Sequence, residues 1–514
     1  MDKKLDVLFV NPDASFRVYQ EWFSKGYSAI EPPTWALLLA QSCRAKGFGV
    51  GILDCGAEGL SLEESVRRIA EADARLVCFV MYGPNPNSGT ASMIGAELLG
   101  RELKKQHPEC VLCLVGSHVS ALPKEVLALD CADVVLLNEG VYALHNLLRT
   151  DLRDSSLEKV RGIGYKKNGV PVLNLPERVV PQERMDIDLP GYAWDLLPYR
   201  EKPLDLYRSH FWHADFNHGF RTPYAAIYTS LGCVFKCEFC MINIVNRVDN
   251  ADDVSAWNSP NMRFWSPEFI LGEFEKLASL GVETVRISDE MFFLNKRFFE
   301  PVVRGIVDRG LNLRSWAYSR VDTVQPHYLD LFKRAGIGWL AIGIEAGNQL
   351  VRKEVSKGSF KDVNIREVVK TVRDHDINVI ANYIFGLPED SRRTMQETLD
   401  LALELNTEMA NMYACVALPG SPLYVQAKRD GIALPDSYAG FAFSAYENQP
   451  MPTKHCTAAE VLKFRDDAWK RYFTNPEYLA LVEKRFGAKE RRNVEEMSKI
   501  KLRRKILGDP PPEM

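Results

Sequence analysis

The stretch Ala225-Ala226-Ile227-Tyr228-Thr229-Ser230-Leu231-Gly232-Cys233-Val234-Phe235-Lys236-Cys237-Glu238-Phe239-Cys240 decides how the rest of this chain is read. An apolar, β-prone run ends in glycine, and three cysteines follow at the spacing CxxxCxxC with an aromatic before the last. Three thiolates this close in sequence are soft ligands suited to an iron–sulfur cluster or to zinc. A four-iron cluster ordinarily takes four cysteines, so three leave one iron open to a non-protein ligand. A structural zinc site needs a fourth protein ligand, and His210, His213 and His218 are the nearest candidates.

Around this loop, residues 223–428 alternate between strand-like and helical segments. Strands are expected at Ala225–Thr229, Thr284–Ser288, Ser315–Ser319, Trp339–Ile344, Asn378–Phe385 and Met412–Ala417. Parallel strands with crossover helices, too few to close a full eight-fold barrel, imply an open, partial (β/α)6 barrel with its chemistry at the carboxyl ends of the strands. Those ends carry Asp289-Glu290, Ser319-Arg320, Glu345 and Gly386-Leu387. The cysteine loop, Phe239 included, followed by this ordered series, resembles the radical S-adenosylmethionine (radical SAM) superfamily. The resemblance implies a [4Fe–4S] cluster on Cys233, Cys237 and Cys240, whose open iron is chelated by SAM, and reductive cleavage of SAM to a 5′-deoxyadenosyl radical. By the same resemblance Phe239 is a SAM contact. Asp289 and Glu290 meet the methionine amino group, Ser319 and Arg320 the carboxylate, Glu345 the ribose or amino group, and Gly386 and Leu387 the adenine.

Residues 1–145 show a second β-α rhythm with short apolar strands, which implies a doubly wound, flavodoxin-like parallel sheet. Ligands in such sheets bind beyond the carboxyl ends of the strands. Asn11-Pro12, the Pro32-Pro33 helix entry, Asp54, Gly116-Ser117-His118…Ala121-Leu122-Pro123 and Asn138-Glu139-Gly140 resemble the cobalamin (B12)-binding domain of one large radical SAM branch. That implies cobalamin contacts from Asn11, Pro33, Asp54, Tyr82, Asn85, Gly116, Ser117, His118, Glu139 and Gly140. Other cobalamin domains carry Asp-x-His-x-x-Gly after the first strand, whereas Asn11-Pro12-Asp13-Ala14-Ser15-Phe16 here offers cobalt no imidazole. Tyr82 and Asn85, after the third strand, are the candidates to cover the lower cobalt face. His118 is expected to orient backbone or the cofactor edge rather than to ligate cobalt.

Residues 146–222 read as a connector with a small hairpin at 162–173 and a polar-aromatic run, Tyr207–Phe220, that either packs between domains or lines a substrate pocket. Residues 429–514 read as mostly helical. Their charge-rich stretch from Lys489 to Lys505 is expected to be solvated, and Gly508–Met514 frayed. The 514 residues are 46% hydrophobic and 26% charged with a formal net charge of −4, a balance that calls for neither nucleic acid nor an anionic membrane. No run is apolar enough to span a bilayer, no signal peptide is evident, and cysteines outside the loop are scattered singly, so a cytoplasmic setting is expected.

Together these features imply a B12-dependent radical SAM enzyme. The chemistry most common in that branch is methyl transfer from methylcobalamin to an unactivated carbon, which asks for no conventional acid or base. The expected partners are a small-molecule or biosynthetic-intermediate substrate and an external one-electron donor such as flavodoxin or ferredoxin. Cyclisation or rearrangement without methyl transfer is the alternative, and a non-catalytic cobalamin sensor is a further one. A methylthiotransferase would carry a second three-cysteine cluster in the N-terminal domain, and Cys43, Cys55, Cys78, Cys110, Cys113 and Cys131 form no such group.

Overall fold

Short runs of aliphatic residues become parallel strands buried on both faces, and this happens twice along the chain. The computed structural model describes residues 5–24, 26–210, 221–249, 251, 254–356 and 360–512. Strands β1 (Val7–Asn11), β2 (Val50–Asp54), β3 (Leu76–Met81), β4 (Leu112–Gly116) and β5 (Val134–Leu136) pair in parallel in the order β2-β1-β3-β4-β5. This is the flavodoxin-like winding, which reverses direction between β1 and β3. The hairpin expected at 162–173 forms β6 (Ile163–Lys167) and β7 (Val170–Leu173), which extend the same sheet antiparallel from β5. Glycine lets helix Gly89–Gln106 lie close on this sheet. A Cβ on Gly95 would stand 2.5 Å from the Asp13 carbonyl oxygen.

The second sheet begins with β8 (Tyr224–Ile227). A short antiparallel pair, β9 (Ser230–Cys233) with β10 (Asn261–Phe264), stands beside it. The sheet continues through β11 (Thr284–Ile287), β12 (Arg314–Arg320), β13 (Ile337–Glu345), β14 (Asn378–Phe385) and β15 (Met409–Ala414). Its order is β15-β14-β13-β12-β11-β8, every pair parallel. Each strand therefore lies beside its successor, the arrangement of an open half barrel. Polar and aromatic side chains meet across neighbouring strands. Arg286 lies over the rings of Trp316 and Tyr318 at 5.1 and 5.4 Å, and Asn411 Nδ2 donates to Asn382 Oδ1 at 2.9 Å.

Helix Ala458–Phe473 starts at a capping box in which Thr457 and Glu460 satisfy each other's backbone amides, and it packs along β15, where Arg465 Nε donates to the Met412 carbonyl. The last charged stretch is not simply solvated. Arg504 is fully buried, paired with Asp466 at 2.8 Å, and donates to the carbonyls of Phe443 and Ala445. Nor is the end loose at Asp509, which accepts from the Arg504 backbone amide and pairs with Lys501. No helix among the described residues is long and apolar enough to cross a membrane.

Candidate active site

The three cysteines lie where β8 gives way to the β9 turn, at the carboxyl end of the half barrel. Cys233 N donates to Asn243 Oδ1 at 2.9 Å. The Cys233 sulfur accepts from Phe235 N, and the Cys240 sulfur from Ile242 N, each at 3.5 Å. Burial pushes the Cys233 and Cys237 thiols up to about 12 and the Cys240 thiol higher still. These thiols need a nearby cationic centre to exist as thiolates, and a metal supplies one. Among the described residues no three His, Cys, Asp or Glu side chains are gathered closely enough to hold a single ion. His213 and His218, with the Phe211–Phe220 part of the polar-aromatic run, lie outside the described residues.

The loop is fastened from several elements. Glu238 N donates to the Val355 carbonyl, and Leu423 N donates to the Glu238 carbonyl, both at 3.0 Å. Arg320, expected at the SAM carboxylate, packs against the loop. Its guanidinium lies 3.7 Å from the Phe235 ring centroid and 4.7 Å from that of Phe360, and it grips Asp322 through Nε and Nη2. Ser319 is buried and bonds to Thr323 at 3.1 Å. Asp289 is likewise committed. Its oxygens accept from Thr229 N and Oγ1, both at 2.6 Å, and from Ser230 Oγ at 2.5 Å, which ties the end of β11 to the end of β8. Gly386 N and Leu387 N both donate to Asp390 Oδ2, so this glycine turn is closed on its own carboxylate.

Two carboxylates differ. Among the described residues neither Glu290 nor Glu345 has a hydrogen-bond or ion-pair partner, and burial raises each to about 7. Glu290 feels Arg286 and Asp289, and stands near Cys233 and Cys240; Glu345 stands near Cys237. Glu345 holds φ at +66°, and the β13–β14 register shifts beside it. A non-glycine residue in that region carries strain of the kind that clusters at functional sites. Phe239 and Leu387 meet in one apolar cluster with Ile384 and Ala417, so these two SAM candidates are brought together.

At the carboxyl end of the first sheet the expected cobalamin residues mostly face protein. Asp54 accepts from Asn11 Nδ2 and Tyr207 Oη, both at 2.9 Å, and burial raises its carboxyl to about 6. Tyr82 is fully buried, donates to the Asn138 carbonyl at 2.6 Å and packs on Trp35. Its hydroxyl is committed to that backbone carbonyl. His118 is sealed between Thr90 Oγ1, 3.1 Å away, and the Tyr438 ring, so it presents no imidazole. Glu139 reaches into the other half, where it pairs with Arg263 at 2.8 Å, both fully buried, and accepts from Val180 N. Gly116 touches β3 so closely that a Cβ would meet the Met81 carbonyl at 2.3 Å. Gly140, at φ +79°, donates its N–H to Asn138 Oδ1, and Pro33 precedes the helix Thr34–Ala45. Asn85 caps a turn at Pro86–Ser88, and Ser117 Oγ donates to the Pro86 carbonyl.

Between the halves Trp35 and Pro86 stand against Tyr228, Ser230, Ile242 and Glu290 around a void of only about 10 Å³, no larger than a water needs. Sequence reading missed several contacts of this region: Asn87 with Met241, Asn243 with Cys233, the Glu139–Arg263 pair, and Glu31 with Arg286 at 2.7 Å. Apart from Asn243, whose partner Cys233 is ten residues away, each partner lies far off in sequence, so none carries a local signal.

The donor set fits a cluster, and comparisons with known proteins agree. Residues 227–402 match the Radical SAM superfamily and residues 27–148 the B12 binding domain. An uncharacterized methyltransferase of Pyrococcus horikoshii is 24% identical, over 87% of this chain and 89% of its own length. The anaerobic magnesium-protoporphyrin IX monomethyl ester cyclase of Cereibacter sphaeroides is also 24% identical, over 86% of this chain and 67% of its own length. The structure of the radical SAM methyltransferase TsrM from Kitasatospora setae, with cobalamin and a [4Fe–4S] cluster bound, has the same fold. Its TM-score is 0.65 at 15% identity, covering 96% of this chain and all of that one.

Proposed function

For this chain, a member of the radical SAM superfamily that carries a B12 binding domain, we propose methylation of an unactivated carbon through a 5′-deoxyadenosyl radical and methylcobalamin. Its cofactors are a [4Fe–4S] cluster, SAM and cobalamin. When bound, these groups supply the electron, the radical and the methyl group; the protein supplies placement. The observation that carries the reading is the contact between the carboxyl end of the first sheet and the half-barrel mouth, where Asn87 accepts from Met241 N beside Cys240. A substrate held where the two halves meet would touch both cofactor regions at once.

In this reading Cys233, Cys237 and Cys240 hold the cluster. Glu290 and Glu345 receive the polar groups of SAM, because among the described residues these two candidate carboxylates have no partner. Phe239 and Leu387 supply the apolar wall for the adenine. Asp289, Ser319 and Arg320 fix the strand ends and the cysteine loop. On the other side Trp35 and the Tyr82–Gly89 loop bound the cobalamin edge, with no histidine at cobalt. Burial at Glu290 and Glu345 keeps them near neutrality until a cationic group arrives to pair with them.

The test is anaerobic reconstitution with iron, sulfide and hydroxocobalamin, then incubation with methyl-labelled SAM, reductant and candidate small-molecule substrates. Labelled product with equal 5′-deoxyadenosine and S-adenosylhomocysteine is expected. A product formed with 5′-deoxyadenosine but no label would favour the cyclase reading, for which the Cereibacter relative speaks.

A further inference from the structure

Asn87, from the B12-binding half, hydrogen-bonds the end of the cysteine loop. Asn87 Oδ1 accepts from the backbone N–H of Met241 at 3.1 Å, and Asn87 Nδ2 lies 3.8 Å from the Cys240 sulfur. Both amide ends stand near the sulfur, Oδ1 at 3.9 Å, but Met241 N can only donate, so the oxygen takes that bond and the NH2 is the group left to donate to a ligating thiolate. Asn87 is itself held in place. Its N–H donates to Asn85 Oδ1 at 3.0 Å, and Ser117 Oγ, from the end of β4, donates to the Pro86 carbonyl at 2.5 Å. A Cβ at Gly89 would strike that Ser117 hydroxyl at 1.9 Å, so the turn closes only with glycine there.

Resting on the assignment of Cys240 as a cluster ligand, we propose that Asn87 is a positioning residue that tunes the cluster from the cobalamin side, by donating a hydrogen bond to the Cys240 sulfur. Reduction adds negative charge to the cluster and its sulfurs. A donor aimed at a ligating sulfur stabilises that charge and raises the reduction potential. Because the donor is carried on the loop that borders the cobalamin region, the potential is set by how the two halves dock. Asn85, expected at cobalt, then works one step back, by orienting Asn87.

The full-length reconstituted protein tests this with N87D and N87A. Aspartate is isosteric and still accepts from Met241 N, but turns the group facing sulfur from donor to acceptor. Both variants are expected to keep the wild-type iron and sulfide content. Both should shift the cluster midpoint to lower potential, N87D further than N87A, and alter the EPR spectrum of the reduced cluster. A wild-type potential and spectrum in N87D, with full iron, would overturn the proposal. Loss of the cluster from N87D alone would also overturn it, since tuning requires a cluster that survives. Wild-type protein that assembles no four-iron cluster would instead remove the assignment of the cysteines, a separate failure read before any variant is made.

Discussion

At the scale of single residues, adjacent carboxylates have opposite duties. Asp289 receives three hydrogen bonds from Thr229 and Ser230, whereas Glu290 receives none among the described residues. D289N should therefore lower the melting temperature, because buried donors lose a charged acceptor. E290Q should leave stability near wild type and weaken SAM binding to the cluster-loaded protein by about tenfold to hundredfold, the worth of a charge-assisted hydrogen bond. Equilibrium binding and thermal melts separate the two, and unchanged SAM affinity in E290Q would remove its assigned role. Asp54 gives a pH prediction. Its folded carboxyl sits at about 6 against about 3.9 unfolded, so the native state holds the extra proton between these values. That stability is present in full below pH 4 and is lost as pH rises through 6, a total of about 3 kcal/mol. The difference in unfolding free energy between wild type and D54N should follow this slope; parallel profiles would show that Asp54 does not titrate in this window.

Elements take their positions from contacts that follow or override local preference. The strands of the half barrel were legible because each is a short apolar run bounded by turns, and Asn378–Phe385 matches its expected span residue for residue. The last strand lies earlier than expected, at Met409–Ala414 rather than Met412–Ala417, and just before it the Glu408 carboxylate accepts from Val379 N of the neighbouring strand. The turn after β14 illustrates the limits on substitution. Gly386 holds φ +82°, and a Cβ there would stand 2.3 Å from Val461 Cγ1 on the C-terminal helix. G386A is expected to destabilise by roughly 2–4 kcal/mol, from left-handed strain plus overpacking. Adding V461A should recover the overpacking share and leave the strain, and chemical denaturation reads both. Full recovery would mean that the backbone angle costs nothing here.

For the whole molecule, buried ion pairs join the two sheets. Glu139 with Arg263 and Glu31 with Arg286 are charges from the first half paired with charges on the second. Removing one member leaves the other buried and unpaired, at a cost of roughly 3–5 kcal/mol. E139Q should accordingly lower the melting temperature and expose the connector to limited proteolysis, while E139M with R263M should recover much of the loss. Equal stability of E139Q and wild type would show that the pair does not hold the halves together. The chain ends also meet. Gln20 Nε2 donates to the Ser444 carbonyl, Gln20 Oε1 accepts from Arg503 N, and Trp22 packs on Trp469 at 5.3 Å. The sequence by itself determined the two β-α rhythms, the cysteine loop and the set of polar strand ends, because periodicity, spacing and turn chemistry are local. Only the tertiary structure decided which polar ends are already spent and which remain open. Asp289 with Thr229, Arg320 with Phe235, Glu139 with Arg263 and Asn87 with Cys240 are pairings between distant residues, and a hydrogen bond or ion pair exists only once folding has brought both partners together.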